Sequence, residues 1–229
     1  MAWLAPSRGL RWADIGCGNG CSTEQILALT APLSVDALDP SAEQLAHART
    51  VLAGQPVTFH QGDAMALTWD KAVFDIAQMA LVIFFVPQPA RGLAEMIRVT
   101  RPGGTVAAYV WDVPNGGIPW EHISKGKERL GMRVINPPSA EISALDALAA
   151  LWRAGGLDQV HARHIEVERR FASFEHYWRA WSAGGPTRAS VPPERMPELR
   201  EAVRRELGVI EDVAFTVKAT ASAVKGRAP

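Results

Sequence analysis

The sequence predicts an α/β domain built on a parallel, doubly wound sheet. Two observations carry that expectation. Five β-rich runs alternate with helical stretches of about ten residues through the first half of the chain. A glycine-rich turn follows the first run at once and opens the first helix.

The elements follow in order. Leu10 to Ile15 is a short β-rich run, with Gly16-Cys17-Gly18-Asn19-Gly20 directly after it. Ser22 to Thr30 reads as a helix, with Ile26, Leu27 and Thr30 at helical spacing. Val35 to Leu38 is a second strand, and Asp39-Pro40-Ser41 is a turn whose Ser41 is placed to cap a helix over Ala42 to Leu52. Val57 to His60 is a third strand, closed by Gly62-Asp63. Val73 to Gln78 is a fourth, and Pro87 and Pro89 break the apolar run beyond it. Ala90 to Val99 is helical and is expected to stop at Arg101-Pro102-Gly103-Gly104, before a fifth strand over Thr105 to Trp111.

The second half is less regular. Asp112 to Ala140 is rich in Gly and Pro with no clear period. A helix is expected over Ser143 to Ala154, ended by Gly155-Gly156. Val160 to Phe171 alternates as an edge or antiparallel strand does. Phe174 to Trp181 is an aromatic helix, Gly184 to Pro193 a loop, Pro197 to Leu207 a polar helix and Val213 to Val224 a last strand. No linker or repeat divides the chain, so residues 1–229 read as one domain, with cap elements at about 112–142 and 172–210.

Composition excludes several classes. In 229 residues, 48% are hydrophobic and 21% charged, which is not the balance of a disordered chain, a collagen or a long coiled coil. Twenty-four basic residues offset 24 acidic ones, so no global field draws the chain to nucleic acid or an anionic membrane. The longest apolar run, Met79 to Val86, is strand-length and far short of the roughly 18 residues a spanning helix needs. The start, MAWLAPSRGL, lacks the apolar core of a secretory signal. Cys17 and Cys21 form no disulfide framework, and their spacing has no matching Cys/His pair for zinc. No metal is expected, and a cytoplasmic protein with reduced thiols is.

Three motifs carry chemistry. In Asp14-Ile15-Gly16-Cys17-Gly18-Asn19-Gly20, the glycines allow a tight turn and a close approach to a ligand. The helix behind them offers free N–H groups and a positive dipole end. The spacing is GxGxG, not the GxGxxG of nicotinamide sites, and Asp14 would repel a pyrophosphate but suits an ammonium group. Asp39 ends the second strand, where a carboxylate can accept both hydrogen bonds of a ribose diol, although Asp-Pro-Ser is also plain turn chemistry. Gly62-Asp63-Ala64 ends the third strand. Asp63 can take an adenine amino proton there and the Ala64 N–H a ring nitrogen, although an Asp also caps loops.

On DIGCGNG at 14–20, DALDPSAEQLAHAR at 36–49, HQGDA at 60–64 and FDIAQMALVIFFVPQPARGLAEMIRVTRPGGTVAAYVW at 74–111, the chain resembles class I S-adenosylmethionine-dependent methyltransferases of the bacterial small-molecule type. The tail AVKGRAP is similar as well. The resemblance implies a Rossmann-like seven-stranded sheet in the order 3-2-1-4-5-7-6, with strand 7 antiparallel, and a small helical cap. It implies S-adenosylmethionine as cofactor, a small-molecule methyl acceptor, and neither a nucleic-acid partner nor a membrane.

Site roles are also implied by the resemblance. Gly16, Cys17, Gly18 and Gly20 would pack on the methionine part, and Asp14 would attract its amino group, usually through water. Asp39, next to Pro40, would hold the ribose hydroxyls, with Gln44 near the adenosine. Gly62, Asp63 and Ala64 would hold adenine, and Met79, just past the fourth strand, would offer its carbonyl to the ammonium.

The chain departs from the family in places. Phe84-Phe85 stands where many relatives carry histidine, and only about ten residues precede the first strand, where the family carries lid helices. Trp3 and Leu4 look like the end of such a helix, so an open acceptor side is expected. Methyl transfer needs a base only when the acceptor must lose a proton. Glu121, His122, His176 and Tyr177 are the cap residues that can serve. The aromatic group Phe174, Tyr177, Trp178 and Trp181 fits helix packing before it fits a pocket. The alternatives are a catalytically impaired S-adenosylmethionine-binding protein and a nicotinamide-dependent oxidoreductase. The basic pairs Arg169-Arg170 and Arg204-Arg205 read as solvated faces rather than nucleic-acid contacts.

Overall fold

A computed structural model describes residues 3–182, 190–209 and 213–229. The strands are β1 (Arg11–Ile15), β2 (Ser34–Asp39), β3 (Val57–Gln61), β4 (Phe74–Ala80), β5 (Thr100–Trp111), β6 (Asp158–Phe171) and β7 (Phe215–Arg227). They form one seven-stranded sheet in the order β3-β2-β1-β4-β5-β7-β6. β1 is the central parallel strand, with Trp12 opposite Val35 on one side and Ile76 on the other. Four of its five residues are buried, as a strand covered on both faces requires. β7 runs antiparallel to β5. The Gly103 N–H donates to the Ala228 carbonyl and the Asp112 N–H to the Thr220 carbonyl, so one chain rises in number as the other falls.

The described helices are α1 (Cys21–Thr30), α2 (Ala42–Val51), α3 (Pro89–Val99), α4 (Glu121–Arg129), α5 (Leu145–Ala154), α6 (Phe174–Ser182) and α7 (Met196–Leu207). Ser41 caps α2 as its sequence position suggests, its hydroxyl accepting from the Gln44 N–H at 3.3 Å. In α3, Leu93, Met96 and Val99 are buried at helical spacing behind a proline at the N-terminus.

The chain divides into two compact units. The first comprises Met1–Val110, Pro138–His164 and Ser222–Pro229. Its core holds Trp12, Ile26, Val35 and Ile76, with Leu4 packed against them. The second comprises Trp111–Pro137 and Ile165–Ala221. Phe171, Tyr177, Leu199 and Val203 centre its core. Gly126 lets α4 lie close to α7, since a Cβ there would come within 2.9 Å of a Val203 methyl.

Four expectations are corrected. β5 begins at Thr100 rather than Thr105, because Arg101-Pro102-Gly103-Gly104 gains its pairing partner from Ala228, 124 residues beyond Gly104. β4 runs on to Ala80, so Met79 lies inside the strand, opposite Ala108. α4 occupies part of the stretch expected to be irregular. Trp3 and Leu4 form a turn rather than a helix end. Most of the loop expected between Gly184 and Pro193 lies outside the described residues. Among the described residues no helix is long and apolar enough to cross a membrane.

Candidate functional site

The glycine loop, the ends of β2 and β3, and the chain after β4 meet within the first unit. At the loop, the Gly16 and Cys17 N–H groups both donate to the Leu38 carbonyl, at 2.6 and 3.0 Å. The Gly18 N–H donates to Asp39 Oδ2 at 2.8 Å. Asp39 Oδ1 accepts from the Ser41 N–H at 2.9 Å, which is the turn role its sequence position offers. Each carboxylate oxygen still keeps a lone pair. Gly62 closes the same corner, its N–H donating to the Asp39 carbonyl at 3.2 Å.

The glycines differ in what surrounds them. All three loop glycines have positive φ. A Cβ at Gly16 would lie 2.5 Å from both Val82 methyls, and one at Gly20 would lie 3.1 Å from Ala48 and Leu52. At Gly18 a Cβ would meet nothing within 4 Å. The loop is therefore packed at both ends and open in the middle. Leu81, the first residue after β4, has φ 61°, a strained conformation for leucine, and the turn it begins brings Val82 onto Gly16. α1 starts with Gly20 in the left-handed region and no side-chain cap, leaving its N-terminal N–H groups open apart from the Asn19 side chain on Cys21.

Asp14 is fully buried, not at the surface of the site. Thr23 Oγ1 donates to it at 2.7 Å, Gln78 Nε2 at 3.1 Å and Ser22 Oγ at 3.4 Å. Gln78 also donates to Ser22 at 2.7 Å, so Ser22 and Gln78 stand as one network with the carboxylate. Burial raises the Asp14 pKa above its ordinary 3.8, against the lowering effect of these donors. Its proton affinity is thus higher folded than unfolded, and stability gains from Asp14 as pH falls through the folded value, with the full gain below 3.8. Denaturant unfolding of the protein and of Asp14→Asn should therefore diverge in favour of the natural protein as pH falls from 7 towards 4. A constant difference over that range contradicts this.

The remaining expected site residues are placed as follows. Cys17 is buried against Ala37 and Leu45, and burial, with the charges of Asp14 and Asp39, pushes its thiol well up, so it is a packing residue. Pro40 is exposed and its carbonyl accepts from Gln61 Nε2. Gln44 is exposed in the first turn of α2. Asp63 is exposed and accepts from the Met65 N–H at 2.8 Å, the loop-capping role open to it, with Ala64 half-buried beside it. Met79 is fully buried within β4 rather than just past it. The sequence reading missed Ser22, Thr23, Gln78 and Val82. It also missed Tyr109 on β5, which is partly exposed and whose phenol is pushed up to about 12 by burial and then by the charges of Asp14 and Cys21. Among the described residues no His, Cys, Asp and Glu cluster can hold a metal ion.

In the second unit, His122 and Tyr177 lie edge to face with ring centroids 6.3 Å apart. His122 Nδ1 and the Tyr177 hydroxyl are buried without a hydrogen-bond partner. Burial, then Lys125, lowers the His122 pKa, while burial, then Glu121, raises that of Tyr177, so both stay neutral near pH 7. Glu121 lies 3.6 Å from Lys125 Nζ. His176 is exposed and accepts from the Ala172 N–H, apart from that pair. Phe84 is buried and Phe85 is 58% exposed.

The residues of the first unit fit an adenosyl ligand bearing a cationic methionine part. There is open space over Gly18, a carboxylate with spare lone pairs at Asp39, and a buried carboxylate network behind the loop. Residues 13–108 match the methyltransferase domain family. A 98-residue stretch is 41% identical to 2-methyl-6-phytyl-1,4-hydroquinone methyltransferase 2 of rice, covering 43% of this chain and 28% of that protein. A demethylmenaquinone methyltransferase from Renibacterium salmoninarum is 30% identical over 146 residues, 62% of this chain and 60% of that protein. The matches thus span less than two thirds of these relatives. Among solved structures, Haemonchus contortus phosphoethanolamine N-methyltransferase 2, crystallised with S-adenosyl-L-methionine, superposes on 98% of this chain and 50% of its own, with a TM-score of 0.61 at 15% identity, which is a likeness of fold.

Proposed function

We propose, from the match of residues 13–108 to the methyltransferase domain family, that this chain transfers a methyl group from S-adenosylmethionine to a small-molecule acceptor. The observation that carries the reading is the loop open over Gly18, tied to Asp39 at 2.8 Å. Asp39 accepts from the ribose hydroxyls with the lone pairs its backbone partners leave, and Pro40 and Gln44 line the adenosine side. Gly62, Asp63 and Ala64 take the adenine, Asp63 with the oxygen not held by Met65. Gly16, Cys17, Gly18 and Gly20 shape the methionine side. Asp14 acts there through Ser22 and Gln78 rather than by direct contact, since it is wholly buried. Met79 is a packing residue, because it lies inside the β4 ladder.

When bound, the cofactor supplies a methyl group already activated by its sulfonium. The chain's own work is to orient the reactants and exclude water. The whole chain works as one methyltransferase domain. The relatives' names make hydroquinones the first acceptors to offer. Incubation with methyl-labelled S-adenosylmethionine and a panel of hydroquinones, phenols and amines should yield a labelled product. Calorimetric binding of the cofactor with no labelled product from any acceptor favours the impaired binding protein instead, and binding of NADH in its place favours an oxidoreductase.

A further inference from the structure

A small cavity of about 140 Å³ lies wholly within the first unit, at the end of the sheet away from the glycine loop. Thr105 on β5 borders it and pairs with Ile76 near the start of β4, whereas the loop follows the end of β1. The other polar walls are Lys225 and Arg227 on β7 and Gln159 and His161 on β6. The three strands are neighbours in the sheet, and residues two apart on a strand share a face. Donors from three adjacent strands therefore converge on one small space. No acidic residue lines it. Lys225 is half-buried and Arg227 exposed, so the space is open to an ion from solvent.

Two features make this a built site rather than loose surface charge. Both cations are held in place by neutral groups. Lys225 Nζ donates to the Trp3 carbonyl at 2.9 Å and lies 4.9 Å from the centre of the Trp3 ring. Arg227 Nη1 donates to the Gly103 carbonyl at 3.2 Å and to Thr105 Oγ1 at 2.9 Å. Among the described residues neither cation pairs with a carboxylate. These contacts fix the two side chains and leave both charges unbalanced. They also leave donors over, since Lys225 keeps two ammonium hydrogens and Arg227 the N–H groups of its other nitrogens. Like charges on one strand face repel, and an anion between them relieves the repulsion. The second feature is Gln159, whose φ of 48° is a left-handed conformation that costs a glutamine free energy and that clusters at ligand sites.

We propose that this cavity binds a doubly charged phosphate group. Its volume is below that of pockets for whole small molecules, so it takes the anionic head and not the body of a ligand. Four oxygens around one centre can accept from donors on three strands at once, whereas a carboxylate presents only two. None of the residues used here belongs to the proposed cofactor site, so the inference is independent of methyl transfer. Isothermal titration of the full chain with inorganic phosphate, methyl phosphate and acetate tests it, at about pH 8 and about 0.15 M salt. Phosphate should bind saturably and at least about 10-fold tighter than acetate. Methyl phosphate within about threefold of phosphate identifies the head of a monoester, and much weaker binding identifies the free ion. Arg227→Gln and Lys225→Met should each weaken phosphate by about 10-fold or more. Arg153→Gln, which removes an exposed charge elsewhere in the first unit, should leave phosphate binding unchanged. A thermal scan of each variant serves as the folding control. No saturable phosphate binding, acetate within about twofold of phosphate, affinity that survives either cavity variant, or an equal loss in Arg153→Gln overturns the site.

Discussion

Asp39→Ala should lose S-adenosylmethionine binding almost entirely. Two hydrogen bonds from ribose hydroxyls to a carboxylate are worth at least about 1.5 kcal/mol each, so Kd should rise by about two orders of magnitude. The structure adds a second cost. The same carboxylate holds the Gly18 N–H at 2.8 Å and the Ser41 N–H at 2.9 Å, so the variant also frees the glycine loop and the start of α2. Loss of a local backbone tie of this sort costs about 1 kcal/mol, and Tm should fall by only a few degrees. Calorimetry with the cofactor and a thermal scan separate the two effects. A Kd within about threefold of the natural value would remove Asp39 from the ribose role.

Gly16→Val should act on the fold itself. The residue sits at φ 77°, and an added Cβ would lie 2.5 Å from both methyls of Val82. Left-handed strain of about 1–2 kcal/mol adds to about 1–3 kcal/mol of overpacking. For a chain of this size Tm should fall by roughly 5–15 °C, with cofactor binding lost as well. Gly18→Ala is the informative contrast. Nothing lies within 4 Å of its Cβ, so only the left-handed strain of φ 55° applies, about 1–2 kcal/mol, and the fold should survive with Tm lowered by a few degrees while the methyl group occupies the ligand's space. Val82→Ala should partly rescue Gly16→Val, since it removes the atoms that clash. A Gly16→Val protein with the natural Tm would show that Val82 does not hold the loop.

The first half of the fold was legible because local signals agree there. An apolar strand, a turn and a helical stretch recur from β1 to α3, and the structure moves their ends by only a residue or two. The start of β5 was not legible, since Pro102 and two glycines read locally as a stop and gain pairing only from Ala228. α4 was hidden for a related reason. It is polar and carries Gly126, and its helical state depends on packing against α7, which lies about 70 residues on. At the site, the loop and strand-end carboxylates stood out because glycines and acids are rare in such runs. The partners of Asp14 did not stand out, although one signal was available. Gln78 is a lone amide inside the apolar strand FDIAQMA, and a buried amide needs a buried partner, here Asp14 in register across the ladder.

α3 ends at Val99 and β5 begins at Thr100, so helix passes into strand with no residue between them. Most surface connections absorb changes of length, because the slack lies outside the packed elements. Here the slack lies just inside the strand, where five residue steps of β5, Thr100 to Thr105, run against two of β4, Phe74 to Ile76. Beyond Thr105 there is none, and a single residue inserted there would turn every following side chain of β5 to the opposite face, sending Val106, Ala108 and Val110 where Ala107 and Tyr109 now point. The fixed spacing of this stretch therefore begins at Thr105, where lengthening by one residue is costlier than most substitutions.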